Sequence, residues 1–264
     1  MILDNLYLEI TRNCTIKCEH CLRGDKEIKN MSIVTLNNIL KETSEIKHLL
    51  LSGGEPLINI KLLEELPKLI EKYNIEISTI SIITNGTIIG DRIINALESI
   101  QNHCGNFNFI LSNDLFHKLE WQRLNVEDKV KRNFEYYQKS FSMSKYPIND
   151  SFSICSLTNK GKAKELTKDR INEITRNKYT NYIFKDIPAD DNLSYEDNQV
   201  HGKICIDTNG NIVDYCMTYE EEDTFSSNGL NVNIFPFSSV LKVYIDDYIK
   251  RNYGSSKKKD LTSK

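Results

Sequence analysis

Three cysteines near the start of the chain have the residue type and spacing for metal chemistry. Cys14, Cys18 and Cys21 follow the pattern C-x3-C-x2-C, directly after the apolar run 6–10. Three thiolates on one loop bind a soft metal centre but leave a four-ligand shell incomplete. A structural zinc site normally closes with a fourth protein ligand, whereas a three-ligand site keeps a position open for chemistry. The pattern therefore predicts a reactive metal centre or, alternatively, a zinc knuckle completed by His20 or a distant residue.

The cysteine pattern resembles that of the radical S-adenosylmethionine (radical SAM) superfamily. The resemblance implies that Cys14, Cys18 and Cys21 bind three irons of a 4Fe-4S cluster. It implies that the fourth iron is left for the amino and carboxylate groups of SAM. It also implies that the backbone at His20 lies beside the adenine, where His is a variant of the usual aromatic residue in the peptide-modifying branch.

A second motif, Gly53-Gly54-Glu55-Pro56, directly follows the apolar run 47–51. If that run is a strand, the motif lies at the carboxyl end of the sheet, where α/β folds bind ligands. Glycines let a backbone approach a ligand closely and adopt positive φ. The resemblance implies that Gly53, Gly54 and Glu55 bind the amino group of SAM, and an ordinary tight turn is the alternative.

Two more polar segments follow predicted strands. Thr84 and Asn85 begin a Thr-Asn-Gly segment that resembles one lining the SAM pocket, although this is also a common turn signal. Ser112 and Asp114 resemble a Ser-x-Asp pair that contacts the SAM ribose or carboxylate. Asp114 could equally cap the next helix, and the nearby His117 is more typical of a structural hydrogen bond than of a substrate contact.

Short apolar runs alternate with helical patterns through the first two-thirds of the chain, which favours parallel strands joined by crossover helices. One long helix is predicted within 120–141, between the fourth and fifth strands. The family resemblance implies a partial (β/α)6 TIM-like barrel, so the predicted fold class is α/β with a radical SAM core over residues 1–199. Periodicity alone does not separate that barrel from an open doubly wound sheet. The six predicted strands are 6–10, 47–51, 79–83, 107–112, 152–155 and 182–184.

The alternation stops near residue 200, and a C-terminal extension is predicted over 200–253. Residues 204–213 are typical of a β-hairpin with an Asn-Gly turn, and a helix is predicted over 239–251. The polar and basic end, 254–264, is expected to be disordered.

Four cysteines lie outside the first motif. Cys104 and Cys155 adjoin apolar sequence, which favours small buried side chains. Cys205 and Cys216 bracket the hairpin in partial resemblance to a SPASM or twitch extension, which carries auxiliary clusters in relatives. A structural hairpin without a cluster is the alternative.

Composition excludes several function classes. The chain has 264 residues, 39% hydrophobic and 27% charged, which is typical of a globular protein with a sizeable core. A formal net charge of −3 gives no reason to expect nucleic acid as a partner. No stretch approaches the roughly 20 apolar residues of a membrane span, and the first residues lack the features of a signal peptide. We therefore expect a cytoplasmic protein whose cysteines serve metals or catalysis.

The resemblance implies an enzyme that cleaves SAM reductively at the cluster to give a 5′-deoxyadenosyl radical, which abstracts hydrogen from a substrate. It implies SAM as a small-molecule partner, a peptide or protein side chain as a candidate substrate, and a reducing donor such as a flavodoxin or ferredoxin. A glycyl-radical enzyme activating protein is the alternative within the superfamily. A non-catalytic zinc-binding or iron–sulfur scaffold is the alternative from another class.

Overall fold

Strands and helices alternate along the first half of the chain in a computed structural model that describes residues 1–146, 155–158, 161–175, 182–185, 193–213 and 230–253. The strands in these residues are β1 Ile2–Thr11, β2 Glu45–Gly53, β3 Glu76–Thr84, β4 Asn106–Ser112, β5 Met143–Tyr146, β6 Cys155–Thr158, β7 Tyr182–Lys185, β8 Ser194–Glu196, β9 Gln199–Ile206 and β10 Ile212–Val213. The α-helices are α1 Ile33–Leu40, α2 Ile60–Tyr73, α3 Asp91–Gln101, α4 Leu115–Arg123, α5 Glu127–Tyr137, α6 Lys168–Thr175 and α7 Phe237–Tyr253.

A mostly parallel sheet of 8 strands forms the centre of the fold, in the order β10-β9-β1-β2-β3-β4-β5, with β8 paired to β9. The six strands from β9 to β5 in this order are parallel to their neighbours. Strands β8 and β10 pair antiparallel with β9. This arrangement agrees with the predicted α/β class and with a partial TIM-like barrel.

The two faces of the sheet differ in chemistry because side chains alternate along each strand. Leu6 and Leu8 of β1 are fully buried in the core beneath the helices. Tyr7 and Glu9, which alternate with them, line a cavity on the other face. Polar residues that sequence reasoning treated as strand interior therefore face the candidate site.

Helix α1 begins directly after its capping residue. Ser32 caps α1 by accepting a hydrogen bond from the Thr35 N–H at 3.0 Å, as its position before an apolar stripe indicates. The predicted helix within 120–141 is instead two helices, α4 and α5. Asn125 between them has φ of 55°, and Asn adopts this left-handed conformation more readily than most residues.

Two of the six predicted strands are not part of the main sheet. The predicted fifth and sixth strands correspond to β6 and β7, which pair with each other in a separate parallel sheet. The fifth and sixth parallel positions of the main sheet are filled by β5 and β9. The short β5 has no apolar alternation, and the pairing of β9 with β1 joins segments nearly 200 residues apart. A local sequence pattern therefore predicts neither β5 nor the position of β9 beside β1. Residues 152–154 of the predicted fifth strand lie outside the described residues.

The predicted C-terminal hairpin is confirmed as β9 and β10, with Ile212 opposite Ile206. Gly210 in its turn has φ of 88°, in the region that favours glycine. The predicted helix is confirmed as α7. Cys216 and the tail 254–264 lie outside the described residues, as does the side chain of Cys155. Among the described helices, none combines the length and apolar character needed to cross a bilayer.

Candidate active site

The three motif cysteines meet at one cavity at the carboxyl end of β1. Cys18 is buried, Cys14 and Cys21 are half-buried, and all three are free thiols. The cavity has a volume of about 440 Å³, within the range of small-molecule sites. Gly53, Gly54, Asn85 and His20 are among the other residues that line it. The structure thus brings together the cysteine loop and residues predicted from two later motifs.

The two glycines allow the end of β2 to lie directly against the cysteine loop. A Cβ on Gly54 would overlap the backbone carbonyl of Asn13, and a Cβ on Gly53 would overlap that of Thr11. Gly53 also has φ of 120°. The Gly54 N–H donates to the Thr11 carbonyl at 2.7 Å, and the Glu55 N–H donates to the Asn13 carbonyl at 2.8 Å. The glycines therefore serve a close approach between two backbone segments, while their open side faces the cavity.

Glu55 lies behind the cavity rather than within it. Its side chain is fully buried and accepts hydrogen bonds from the Thr84 hydroxyl at 2.9 Å and the Asn85 N–H at 2.7 Å. Burial raises the pKa of Glu55 to about 7, against the opposing effect of these hydrogen bonds. Glu55 and Thr84 thus connect the ends of β2 and β3.

Asn85 connects this pair of strand ends to the cysteine loop. Its side-chain amide donates to the Cys14 Sγ at 3.5 Å and to the Thr15 hydroxyl at 3.0 Å. The Trp121 indole N–H donates to the Asn85 carbonyl at 3.1 Å, which fixes the backbone here from α4. Asn85 is therefore held on three sides, with its amide directed at a cysteine sulfur.

His20 is oriented by side chains at the start of α4. Its ring stacks on Phe116 with centroids 4.4 Å apart, and its Nε2 lies 3.4 Å from Asp114 Oδ1. Asp114 caps α4 by accepting from the His117 N–H, and it also contacts His117 Nδ1 at 2.6 Å. Burial alone would raise the pKa of Asp114, but the hydrogen bonds from His117 and His20 outweigh it and hold this pKa well below its usual range.

Of the predicted SAM-binding residues, His20, Gly53, Gly54 and Asn85 line the cavity. Glu55, Thr84, Ser112 and Asp114 are not among the described residues that line it. His117 does line it, so the histidine set aside in the sequence as structural lies at the site. Cys205 also lines the cavity from β9, and Cys104 is half-buried rather than buried.

Contacts from α4, from α6 and from Lys162 also hold the cysteine loop in place. From α4, the buried Glu120 accepts a hydrogen bond from the Lys17 N–H at 3.0 Å. From α6, Arg170 forms a bidentate ion pair with Glu19 at 3.0 and 2.6 Å. The Lys162 N–H donates to the Cys21 carbonyl at 3.0 Å. The loop is therefore supported on both sides of Cys18.

A buried cluster of charges beside the cavity was missed by the sequence reasoning. Arg12 is fully buried and contacts Glu9 at 3.1 Å and the fully buried Asp207 at 3.8 Å. Arg23 also pairs with Glu9. The available signal was a glutamate inside an otherwise apolar strand, which is unfavourable unless the charge is paired. The cluster joins the cysteine loop to the turn that follows β9.

The donor set fits an iron–sulfur cluster better than a single zinc ion. Burial raises the pKa of Cys14 to about 11, and burial also raises that of Cys18. Deprotonating these thiols therefore requires a strongly positive centre among them. A tetrahedral zinc would bring their sulfurs to roughly 3.8 Å from one another. Across the described chain, no set of three potential ligand atoms within 4.8 Å of one another contains any of these cysteines. At least one pair of these sulfurs is therefore more than 4.8 Å apart, which suits thiolates that bind different irons of one cluster.

Comparison with known proteins places this site in a family. The Radical SAM superfamily model matches residues 8–142, just over half of the chain. A protein named "Probable GTP 3',8-cyclase" from Methanothermobacter marburgensis is 37% identical over 97 residues, which cover 34% of this chain and 30% of that protein. The chain thus matches about a third of the length of this curated relative.

Two solved structures are similar at lower identity. "Native anSMEcpe with bound AdoMet and Cp18Cys peptide" has a TM-score of 0.46 and 21% identity, covering 74% of this chain and 53% of that one. Streptococcus suis SuiB bound to precursor peptide SuiA has a TM-score of 0.45 and 16% identity, covering 79% and 58%. The family match spans the cysteine loop and the strand ends around it. The chain belongs to the radical SAM superfamily, whose cofactors are S-adenosylmethionine and a 4Fe-4S cluster.

Proposed function

We propose that this chain is an enzyme that cleaves SAM reductively and uses the resulting radical on a substrate. The observation that carries the proposal is the convergence of Cys14, Cys18 and Cys21 on one cavity that Gly53, Gly54 and Asn85 also line. When bound, the reduced cluster supplies the electron that converts SAM to methionine and a 5′-deoxyadenosyl radical, which abstracts a hydrogen atom from the substrate. We further propose an external reductant, such as a flavodoxin or ferredoxin, as the electron source.

The residues of the chain bind and orient these cofactors. Cys14, Cys18 and Cys21 provide the three thiolate ligands, and the Asn85 amide stabilises the Cys14 sulfur through a hydrogen bond. The backbone at His20, in a loop that α4 holds in place, would lie beside the adenine of bound SAM. Hydrogen bonds to ligand sulfurs and exclusion of water are the means by which a protein adjusts a cluster potential.

The backbone of Gly53 and Gly54 faces the cavity and binds the amino group of SAM. Glu55 and Thr84 act indirectly, because their mutual hydrogen bond is buried behind this backbone. Ser112 at the end of β4 does not line the cavity, so it is not proposed to contact the ribose or carboxylate of SAM directly. Asp114 acts through the two histidines that it orients.

The proposed substrate is a peptide or protein side chain. The combination of Cys-Glu-His-Cys, Gly-Gly-Glu-Pro and the C-terminal hairpin supports this class, since it resembles peptide-modifying members of the superfamily. Cys205 from that hairpin lines the cavity, which supports a role for the hairpin in forming the substrate site. The glycyl-radical activating alternative leaves this hairpin unexplained.

Anaerobic reconstitution with iron and sulfide, followed by dithionite reduction with SAM, tests the proposal. We expect 5′-deoxyadenosine and methionine to form in the wild type and in Cys104→Ala, whose thiol lies outside the cavity lining. Cys18→Ala should form neither product and should lose most of its iron. Absence of 5′-deoxyadenosine from wild-type protein that has a complete cluster would reject the proposed reaction.

A further inference from the structure

Three potential metal ligands meet at the start of α4, separate from the cysteines. One ligand atom from each of His20, Asp114 and His117 lies within 4.8 Å of the other two. All three side chains are partly buried, at 21%, 21% and 17% exposure. Within the described part of the chain, no other group of three His, Cys, Asp or Glu residues has this arrangement. Two imidazoles and one carboxylate form a common donor set for divalent transition metals.

A second observation concerns the ring of His20. Its Nδ1 is buried and has no hydrogen-bond partner among the described residues. Its Nε2, which lies 3.4 Å from Asp114 Oδ1, is the nitrogen that faces the other two side chains. The Phe116 stack holds the ring in this position rather than allowing it to turn to solvent. The ring is therefore held with Nε2 directed at Asp114, as a ligand of an ion in this cluster must be.

We propose that His20, Asp114 and His117 bind one divalent first-row transition-metal ion, distinct from the cluster. Asp114 can ligate without losing its capping role, because Oδ1 accepts the His117 N–H while Oδ2 lies against the His117 ring. That ring contact, at 2.6 Å, must lengthen by roughly 0.4–0.7 Å to admit an ion with ordinary ligand distances.

The ion would have coordination positions open toward the cavity. His20 and His117 both line the cavity, and three protein ligands leave at least one position for water or another ligand. With one carboxylate and two neutral imidazoles, a divalent ion would keep a net charge of +1, which favours an anionic or lone-pair donor as a further ligand. An ion here would give the cavity a Lewis-acidic group near the cysteine loop. It would bind an oxygen or nitrogen atom of a small-molecule ligand. This proposal goes beyond the proposed function and does not depend on it.

Zinc binding to a protein that cannot form the cluster tests the proposal. In a Cys14→Ala, Cys18→Ala, Cys21→Ala triple variant, we expect about one Zn²⁺ per chain by anaerobic calorimetry. Replacing zinc by Co²⁺ should give visible absorption bands of a nitrogen- and oxygen-ligated ion, without thiolate charge-transfer bands. Adding His117→Ala should weaken zinc binding on the order of 100-fold or more, whereas the control His103→Ala should leave it unchanged.

If the triple variant does not fold, the same measurement is made on wild-type protein with a complete cluster. One zinc per chain beyond the cluster iron, lost in His117→Ala, would then support the site. Binding below about a tenth of an equivalent at micromolar Zn²⁺ in a folded protein would overturn it. So would zinc binding that persists unchanged in His117→Ala. Either result is independent of whether SAM is cleaved.

Discussion

Individual polar groups at the ends of β2 and β3 hold the cysteine loop in position against the sheet. Glu55 is central among them, because a fully buried carboxyl group connects both strand ends. The sequence identifies Glu55 as a site residue from its motif. It does not show that the side chain points behind the cavity, since that depends on Thr84 and Asn85 arriving from another strand. The sequence therefore predicted that Glu55 belongs to the site, but not the direction of its side chain.

Glu55 should make stability depend on pH. Its pKa is raised from the ordinary value of 4.5 to about 7 in the folded protein, so the folded state binds the proton more tightly than the unfolded state. The contribution of Glu55 to the free energy of unfolding is therefore fully present below about pH 4.5 and is lost as the pH rises through about 7. The loss is about 3 kcal/mol. In urea unfolding of the metal-free protein, Glu55→Gln should remove most of this decline. The exposed control Glu76→Gln should retain it, and an unchanged slope in Glu55→Gln would contradict the assignment.

Asn85 should affect the cluster potential through its contact with the Cys14 sulfur. An amide donor to a ligand sulfur stabilises the more negative, reduced cluster. Asn85→Leu should therefore shift the potential to a more negative value in a redox titration followed by electron paramagnetic resonance. Asn102→Leu, at an exposed asparagine that follows α3, provides the control. A potential that stays constant or rises in Asn85→Leu would show that this hydrogen bond does not tune the cluster.

At the scale of elements, the loop after β2 and the helix α4 support the cysteine loop from two directions. The glycines were predicted to allow close approach to a ligand. The structure shows that they also allow close approach to residues 11–13, a contact between two loops that no local pattern reveals. Helix α4 contacts the cysteine loop through Glu120 and the start of the helix. Because the sequence predicted one helix within 120–141, it did not predict a helix start at Leu115 beside the cysteine loop.

Gly54→Ala should disturb the site although it adds only one carbon atom. The added Cβ would overlap the Asn13 backbone, so one of the two loops must move. We expect a loss of about 2 kcal/mol in unfolding free energy and weaker retention of iron after reconstitution. Gly90→Ala is the matched control, because nothing lies within 4 Å of its added Cβ. Equal stability and equal iron retention in the two variants would show that the close approach is dispensable.

At the scale of the whole molecule, β9 joins the C-terminal part of the chain to the strand that carries the cysteine loop. The core strands β1 to β4 and the hairpin were predictable because their apolar patterns and turn residues are local. The position of β9 beside β1 was not, because the buried Arg12–Asp207 contact and the strand pairing both join distant segments. Residues 1–199 and 200–253 therefore share one sheet.

Removing the charge at Asp207 tests how much the Arg12–Asp207 contact contributes to stability. Asp207→Asn keeps a side-chain oxygen for the turn, where Asp207 accepts from the Asn211 N–H at 2.8 Å. It removes the charge that faces the buried Arg12. We expect a loss of about 3 kcal/mol in chemical unfolding, since breaking a buried ion pair leaves an incompletely compensated charge. Asp246→Asn, on α7, is the control. A loss below about 0.5 kcal/mol would show that the remaining partners of Arg12, which include Glu9 and Glu27, suffice without Asp207.

The central claim is that three thiolates bind an iron–sulfur cluster with one iron left open for SAM. Its most direct test is metal and sulfide analysis of strictly anaerobic protein, combined with electron paramagnetic resonance of the reduced form with and without SAM. The account predicts about four irons and four sulfides per chain, with a signal that changes when SAM is added and that is absent in Cys18→Ala. Tightly bound zinc at the cysteines without sulfide, or a cluster signal indifferent to SAM, would contradict it.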